Sequence, residues 1–176
     1  MKVLLHTCCG PCVIYPLEIL RKEGFEVEGY FYNPNIYPQE EFLKRKDVFL
    51  GFAESEKLKI HIPEYEQDEY YSAVTDNRKP ERCLSCWDLR LLKTAEFAKA
   101  NNFSVFTTAL LVSPYQDIEA INNIGQRISK HLGVEFLFRD FRAGFREAHN
   151  RARALGMYCQ KYCGCKCSLE ERMVKK

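Results

Sequence analysis

Residues 1–20, MKVLLHTCCGPCVIYPLEIL, carry a short apolar run straight into a cysteine-rich turn and on into helical spacing. Lys2–His6 has the length and apolar content of a buried strand. Pro11 suits the first turn of a helix, where its missing N–H costs no hydrogen bond. Val13, Leu17 and Leu20 then share one helical face, and Gly24 is expected to end it. Pro16 predicts a kink or a later start. A buried strand that feeds a helix is the repeating unit of a parallel sheet.

The rest of the chain repeats that alternation. Strands are expected at Glu26–Tyr32, Leu58–Ile62, Phe103–Thr108 and Val134–Phe138. Between them, helices are expected from about Gln39 to Lys57, after Cys86 through Leu89, Leu92, Ala95 and Ala98, and near Gln116–Leu132. A polar, Glu/Asp/Tyr-rich stretch leads from the third strand to Arg82-Cys-Leu-Ser-Cys86, and a helical basic region and a cysteine-rich tail close the chain. The expected fold class is α/β: one domain over residues 1–176, with a mainly parallel five-stranded sheet flanked by helices. Such sheets bind ligands beyond the carboxyl ends of their strands, at a topological switch point. Cys8, Cys9 and Cys12 follow the first strand at such a place.

With 176 residues the chain can bury a proper core without covalent staples. Its apolar runs are too short and interrupted for a transmembrane span, and its start lacks a secretory signal, so a cytoplasmic location is expected. In a reducing compartment cysteines serve as metal ligands or redox groups more often than as disulfides. The nine cysteines fall in three clusters: Cys8, Cys9 and Cys12; Cys83 and Cys86; and Cys159, Cys163, Cys165 and Cys167. Core packing would scatter them singly, so the clusters argue for chemistry. Charge is also uneven. The net formal charge is only +2, yet residues 139–176 hold ten Lys/Arg and four Asp/Glu. This basic, cysteine-rich C-terminal segment is a candidate RNA surface, weighed against a merely solvated face.

In CCGPC, Gly10 lets the backbone approach a bulky inorganic group, and Cys12 falls in a first helical turn, which favours thiolate. Cys83 and Cys86 form a CxxC at a helix start, a spacing shared by zinc sites, dithiols and iron–sulfur ligands. Together the two motifs supply four thiolates, which suit zinc or a 4Fe–4S cluster; the surplus thiols favour iron. Cys163 and Cys165, flanked by Lys161 and Lys166, suit a dithiol that cycles with a disulfide, against a second metal knuckle formed with Cys159 and Cys167. Tyr158 and Tyr162 alternate with basic residues in a way compatible with base stacking. His6 stands beside the cysteine loop, and Asp88 lies two residues beyond Cys86. No GxxxxGK[ST], GxGxxG or HExxH motif is present, nor the phosphate loop of ATP pyrophosphatases.

The stretches HTCCGPC, FYNPNIYPQEEFLKR, RCLSCWDLRLLKTAEFAK, TTALLVSPYQD and YCQKYCGC, in this order, resemble the QueH type of epoxyqueuosine reductase. The resemblance implies a Rossmann-like (HUP-like) domain. It implies an enzyme that reduces epoxyqueuosine at the wobble position of tRNA to queuosine, without cobalamin and with iron–sulfur chemistry. It also implies Cys8, Cys9, Cys83 and Cys86 as 4Fe–4S ligands and Cys163 and Cys165 as the redox-active pair. An additional iron is suggested, with Cys12 and Asp88 as its candidate ligands. The partners would be tRNA and an electron donor, with no membrane. Two rivals stand beside this reading. One is a zinc-stabilised, non-redox RNA-binding module. The other is a thiol-based tRNA thiolation enzyme, which the missing phosphate loop disfavours.

Overall fold

A computed structural model describes residues 1–174. Its sheet has five strands, β1 (Lys2–His6), β2 (Glu26–Tyr30), β3 (Lys59–His61), β4 (Val105–Thr108) and β5 (Glu135–Phe136). All neighbours are parallel, in the order β3-β2-β1-β4-β5. Val3 lies level with Val27 on one side and Val105 on the other, so β1 is central. Val3, Leu4 and Leu5 are all fully buried, as expected when helices cover both faces.

The helices are α1 (Gly10–Lys22), α2 (Gln39–Ser55), α3 (Gln67–Ala73), α4 (Glu81–Ala100), α5 (Ile118–Leu132), α6 (Phe145–Ala154) and α7 (Lys166–Val174). α1 packs with α2 and α6, while α4 packs with α5. The chain winds outward from β1 to β3, then crosses back to β4. The carboxyl ends of β1 and β4 therefore diverge at the switch point of the sheet. Among the described residues, no helix is long and apolar enough to cross a membrane.

Three local expectations change. α1 runs unbroken through Pro16, because Leu17, Leu20 and Val13 are buried against the core and outweigh one lost hydrogen bond. The strands β2 to β5 are shorter than their apolar runs, although Phe31 and Leu137 just beyond them are buried and each donates its backbone N–H to the neighbouring strand at 2.9 Å. α3 emerges from the polar stretch after β3; of its seven residues only Tyr70 is buried, so it has no apolar period to betray it. Lys175 and Lys176, part of the basic segment 139–176, lie outside the described residues.

Candidate metal and redox site

β1 ends at His6, and the turn that follows sets three thiols at the switch point. Cys8, Cys9 and Cys12 are buried, and their Sγ atoms all lie within 4.8 Å of one another. The Sγ atoms of Cys8 and Cys9 are 3.9 Å apart. His6 braces the turn from beneath: Nε2–H donates to the Tyr32 carbonyl (3.1 Å) and Nδ1 accepts from the Thr108 hydroxyl (2.8 Å). Burial, then the nearby Arg90 charge, holds His6 down at about 3, so the ring is neutral.

The other thiols arrive from far along the chain. Cys83 and Cys86 open α4, and the loop before α7 carries Cys163 and Cys165. Cys8, Cys12, Cys83, Cys163 and Cys165 line one cavity of about 650 Å³. Cys86 lies behind its wall, packed with Cys165, Tyr70 and Val74. Cys165 precedes α7, where the Ser168 amide N–H approaches its Sγ at 3.4 Å. Cys163 faces the cavity and is solvent-accessible through it.

Two buried arginines organise this arrangement. Arg90 follows Cys86 by four residues and Cys83 by seven, so the three share one stripe of α4. Its Nη2 donates to Asn33 Oδ1 at 2.7 Å, and Asn33 in turn donates to the Thr7 carbonyl at 2.8 Å. Its Nε has no partner among the described residues. Burial disfavours the Arg90 charge, and the neighbouring Cys86, Cys8 and Cys163 more than offset that. Arg90 thus acts on thiols from all three clusters. Arg45 of α2 donates to the Cys163 and Tyr162 carbonyls, each at 3.1 Å, and to Glu41 at 2.7 Å. It clamps the CGC loop. Gly164 within that loop has φ +135°, and its carbonyl accepts from the Tyr37 amide at 2.8 Å.

The donor chemistry fits a metal or iron–sulfur group. Burial pushes Cys86 up to about 12 despite Arg90, and burial likewise raises Cys83. Among Cys8, Cys9 and Cys12, hydrogen bonds from Cys12 and Cys9 favour thiolate at Cys8, while burial disfavours it at Cys9. One member of the triad ionises readily and the others need further positive charge, which a metal supplies. Gln160 points Nε2–H at Cys9 (2.9 Å) and Cys12 (3.4 Å), a donor arrangement suited to metal-bound sulfur.

Several sequence-predicted residues are placed apart from this centre. Asp88, two residues beyond Cys86, sits about 200° around the helix from it. It pairs there with Arg127 of α5. A metal knuckle of Cys159, Cys163, Cys165 and Cys167 is not formed. Cys159 Sγ approaches the Met157 carbonyl and Cys167 Sγ approaches Asn77; among the described residues only Cys8, Cys9 and Cys12 form a tight donor group, with Cys83 and Cys86 also outside it. Tyr158 and Tyr162 turn to the protein itself: Tyr158 bonds Glu41 beneath the Lys44 ammonium, and the Tyr162 hydroxyl donates to the Tyr37 carbonyl. Gln160 and Arg90 were not anticipated. The Cys83–Cys86–Arg90 stripe is a signal that could have found Arg90; nothing local marks Gln160.

Comparison with known proteins agrees with this geometry. The sequence model of the family described as "Epoxyqueuosine reductase QueH" matches residues 3–171. A relative of that name from Thermotoga maritima is 36% identical, covering 98% of this chain and 93% of its own. Another, from Dehalococcoides mccartyi, is 34% identical over 99% of this chain and 96% of its own. A solved structure described as "predicted subunit of tRNA methyltransferase", from Methanocaldococcus jannaschii, superposes with a TM-score of 0.59 at 12% identity. It covers 87% of this chain and 76% of that one, a likeness of fold alone, and the fold is Rossmann-like (HUP-like). A fold whose switch point carries these thiols, matched end to end by one family, leads to a single assignment: this chain belongs to the epoxyqueuosine reductase QueH family.

Proposed function

We propose that this protein is a cytoplasmic, cobalamin-independent iron–sulfur enzyme that reduces epoxyqueuosine in tRNA to queuosine, the last step of queuosine biosynthesis. The observation that carries this reading is the convergence of thiols from three distant segments on one cavity at the switch point of the sheet. Its single domain spans residues 1–176, with the basic segment 139–176 available to tRNA phosphates.

Removing the epoxide oxygen to leave an alkene consumes two electrons and two protons and releases water. Cys8, Cys9, Cys83 and Cys86 are the residues assigned to a 4Fe–4S cluster, which when bound supplies electrons one at a time. Cys12, the third member of the tight thiol group, is assigned to a further iron. Cys163 and Cys165 are the redox pair. Oxidation of that dithiol to a disulfide releases two electrons and two protons, the amount one turnover consumes, and an external electron donor restores it. Arg45 holds the pair at the cavity wall through the Cys163 carbonyl. Arg90 offsets the negative charge that gathers on the sulfurs, and Asn33 fixes its direction.

The test is anaerobic reconstitution with iron and sulfide, then incubation with epoxyqueuosine-containing tRNA and a reductant. Mass spectrometry should show queuosine, and the protein should be brown with bound iron and sulfide. A colourless protein holding stoichiometric zinc, inactive after reconstitution, would establish the zinc-stabilised RNA-binding module instead.

A further inference from the structure

The mouth of the thiol cavity carries an aromatic wall that the chemistry above does not use. Tyr115 is 85% exposed, the most exposed aromatic side chain among the described residues. Exposed tyrosines are ordinary when isolated. Tyr115 is not isolated. Its ring meets Phe145 edge to face, with centroids 5.9 Å apart, and Phe145 packs on His149 at 4.2 Å. All three line the same cavity as Cys8, Cys12 and Cys163. Leu84, another exposed apolar residue, also lines it.

The wall is rigidly mounted. The Tyr115 amide N–H donates to Ser113 Oγ at 3.2 Å, and Trp87 Nε1–H holds the next residue, Gln116, at 3.1 Å. Asp117 then caps α5 through the Ala120 amide at 3.0 Å. On the other side, Gly144 brings the start of α6 against Tyr15: a Cβ there would fall 2.0 Å from the Tyr15 ring, so only glycine permits the approach that sets Phe145. The His149 Nδ1–H donates to the Phe145 carbonyl at 3.1 Å, which fixes the ring plane. The braced turn fixes the backbone that presents the Tyr115 ring, so that backbone need not be ordered on binding.

The charge around it selects the class of ligand. The cavity is lined by five Lys/Arg side chains and two carboxylates, with exposed Lys161 among the cations. Flat aromatic surface beside excess positive charge suits a ligand that joins a heterocycle to phosphates, the combination that single-stranded RNA offers. We propose that Tyr115, backed by Phe145 and His149, is the stacking wall that receives an unpaired base of the RNA substrate at the cavity mouth. This rests on the reading of the substrate as tRNA. Of the two tyrosines expected to stack, Tyr158 lies under Lys44 of α2, and Tyr162 lines the same cavity with its hydroxyl tied to the Tyr37 carbonyl.

The test measures binding of an anticodon stem–loop RNA carrying a fluorescent purine analogue in its loop. Wild type, Tyr115→Ala and Tyr115→Phe are compared, with thermal unfolding of each. Tyr115→Ala should weaken binding by roughly 10- to 100-fold and lose the stacking quench of the analogue. Tyr115→Phe should retain both, and all three should unfold at the same temperature. In the reconstituted enzyme, Tyr115→Ala should raise KM and leave kcat near wild type. Binding and quench within twofold of wild type for Tyr115→Ala would overturn the wall, even with full reductase activity. Failure of wild type to bind the RNA would overturn both the wall and the tRNA reading. Loss of binding in Tyr115→Ala, in a protein that does not reduce epoxyqueuosine, would support the wall and overturn only the proposed reaction.

Discussion

The two thiol walls of the cavity are built in opposite ways. Cys8, Cys9 and Cys12 belong to the core: they lie between the central strand and α1, with relative exposures of 9%, 1% and 5%. Cys163 is exposed on a loop, while Cys165 is buried in a small separate cluster with Cys86, Tyr70 and Val74, just before a helix, α7, that buries no residue. The first wall is held by apolar packing and by the His6 bridge between β1, β4 and the segment after β2. The second has only that small cluster and is otherwise held by polar clamps. Arg45 grips its carbonyls, and Arg82 reaches Glu171 of α7 at 2.7 Å. Packing fixes one geometry, whereas a few side-chain hydrogen bonds can open locally without unfolding the core. A rigid wall suits metal ligands. A clamped one suits a dithiol that must rearrange to form and break a disulfide and meet an external reductant.

The largest break in this contrast should come from Arg45→Met. It removes the buried cation paired with Glu41 and the donor to two carbonyls, at a cost of about 3 kcal/mol. Hydrogen exchange should accelerate across residues 160–168 and stay slow in β1, while denaturant unfolding gives the stability loss. Equal acceleration in both regions would mean that the tail is not a separate unit. Arg90→Gln sharpens the view of the space between the walls. By removing the cation near thiols of both, it should weaken retention of bound iron by roughly 10-fold or more, read by chelator competition. Unchanged retention would reduce Arg90 to a packing residue. The smallest effect is expected from Thr108→Val, which leaves His6 Nδ1 buried without its donor and costs about 1–2 kcal/mol. Its thermal midpoint should fall while exchange in the CGC loop is unchanged.

The sheet was legible because each strand is an apolar run set between helical periods, and its parallel sense follows from the alternation. α3 was not, since helix formation there depends on Tyr70 finding Cys86 and Cys165, partners distant in sequence. The site was legible as three groups of thiols. Arg90 could be placed by helical spacing from Cys83 and Cys86. Asp88 is close to Cys86 along the chain, yet two residues along a helix point nearly opposite ways.

Local chemistry, then, was written in the chain: thiols at a strand end, a CxxC at a helix start, a flexible CGC, and the order of motifs that marks the family. Tertiary structure alone decided which of these meet. It gathered Cys12 with Cys8 and Cys9, sent Asp88 to Arg127, tied the Tyr158 and Tyr162 hydroxyls to Glu41 and Tyr37 and set Tyr115 at the mouth. The reason is physical. Periodicity fixes the face of an element on which a side chain lies, but partners and burial depend on how the elements pack, and that is settled by the whole core at once.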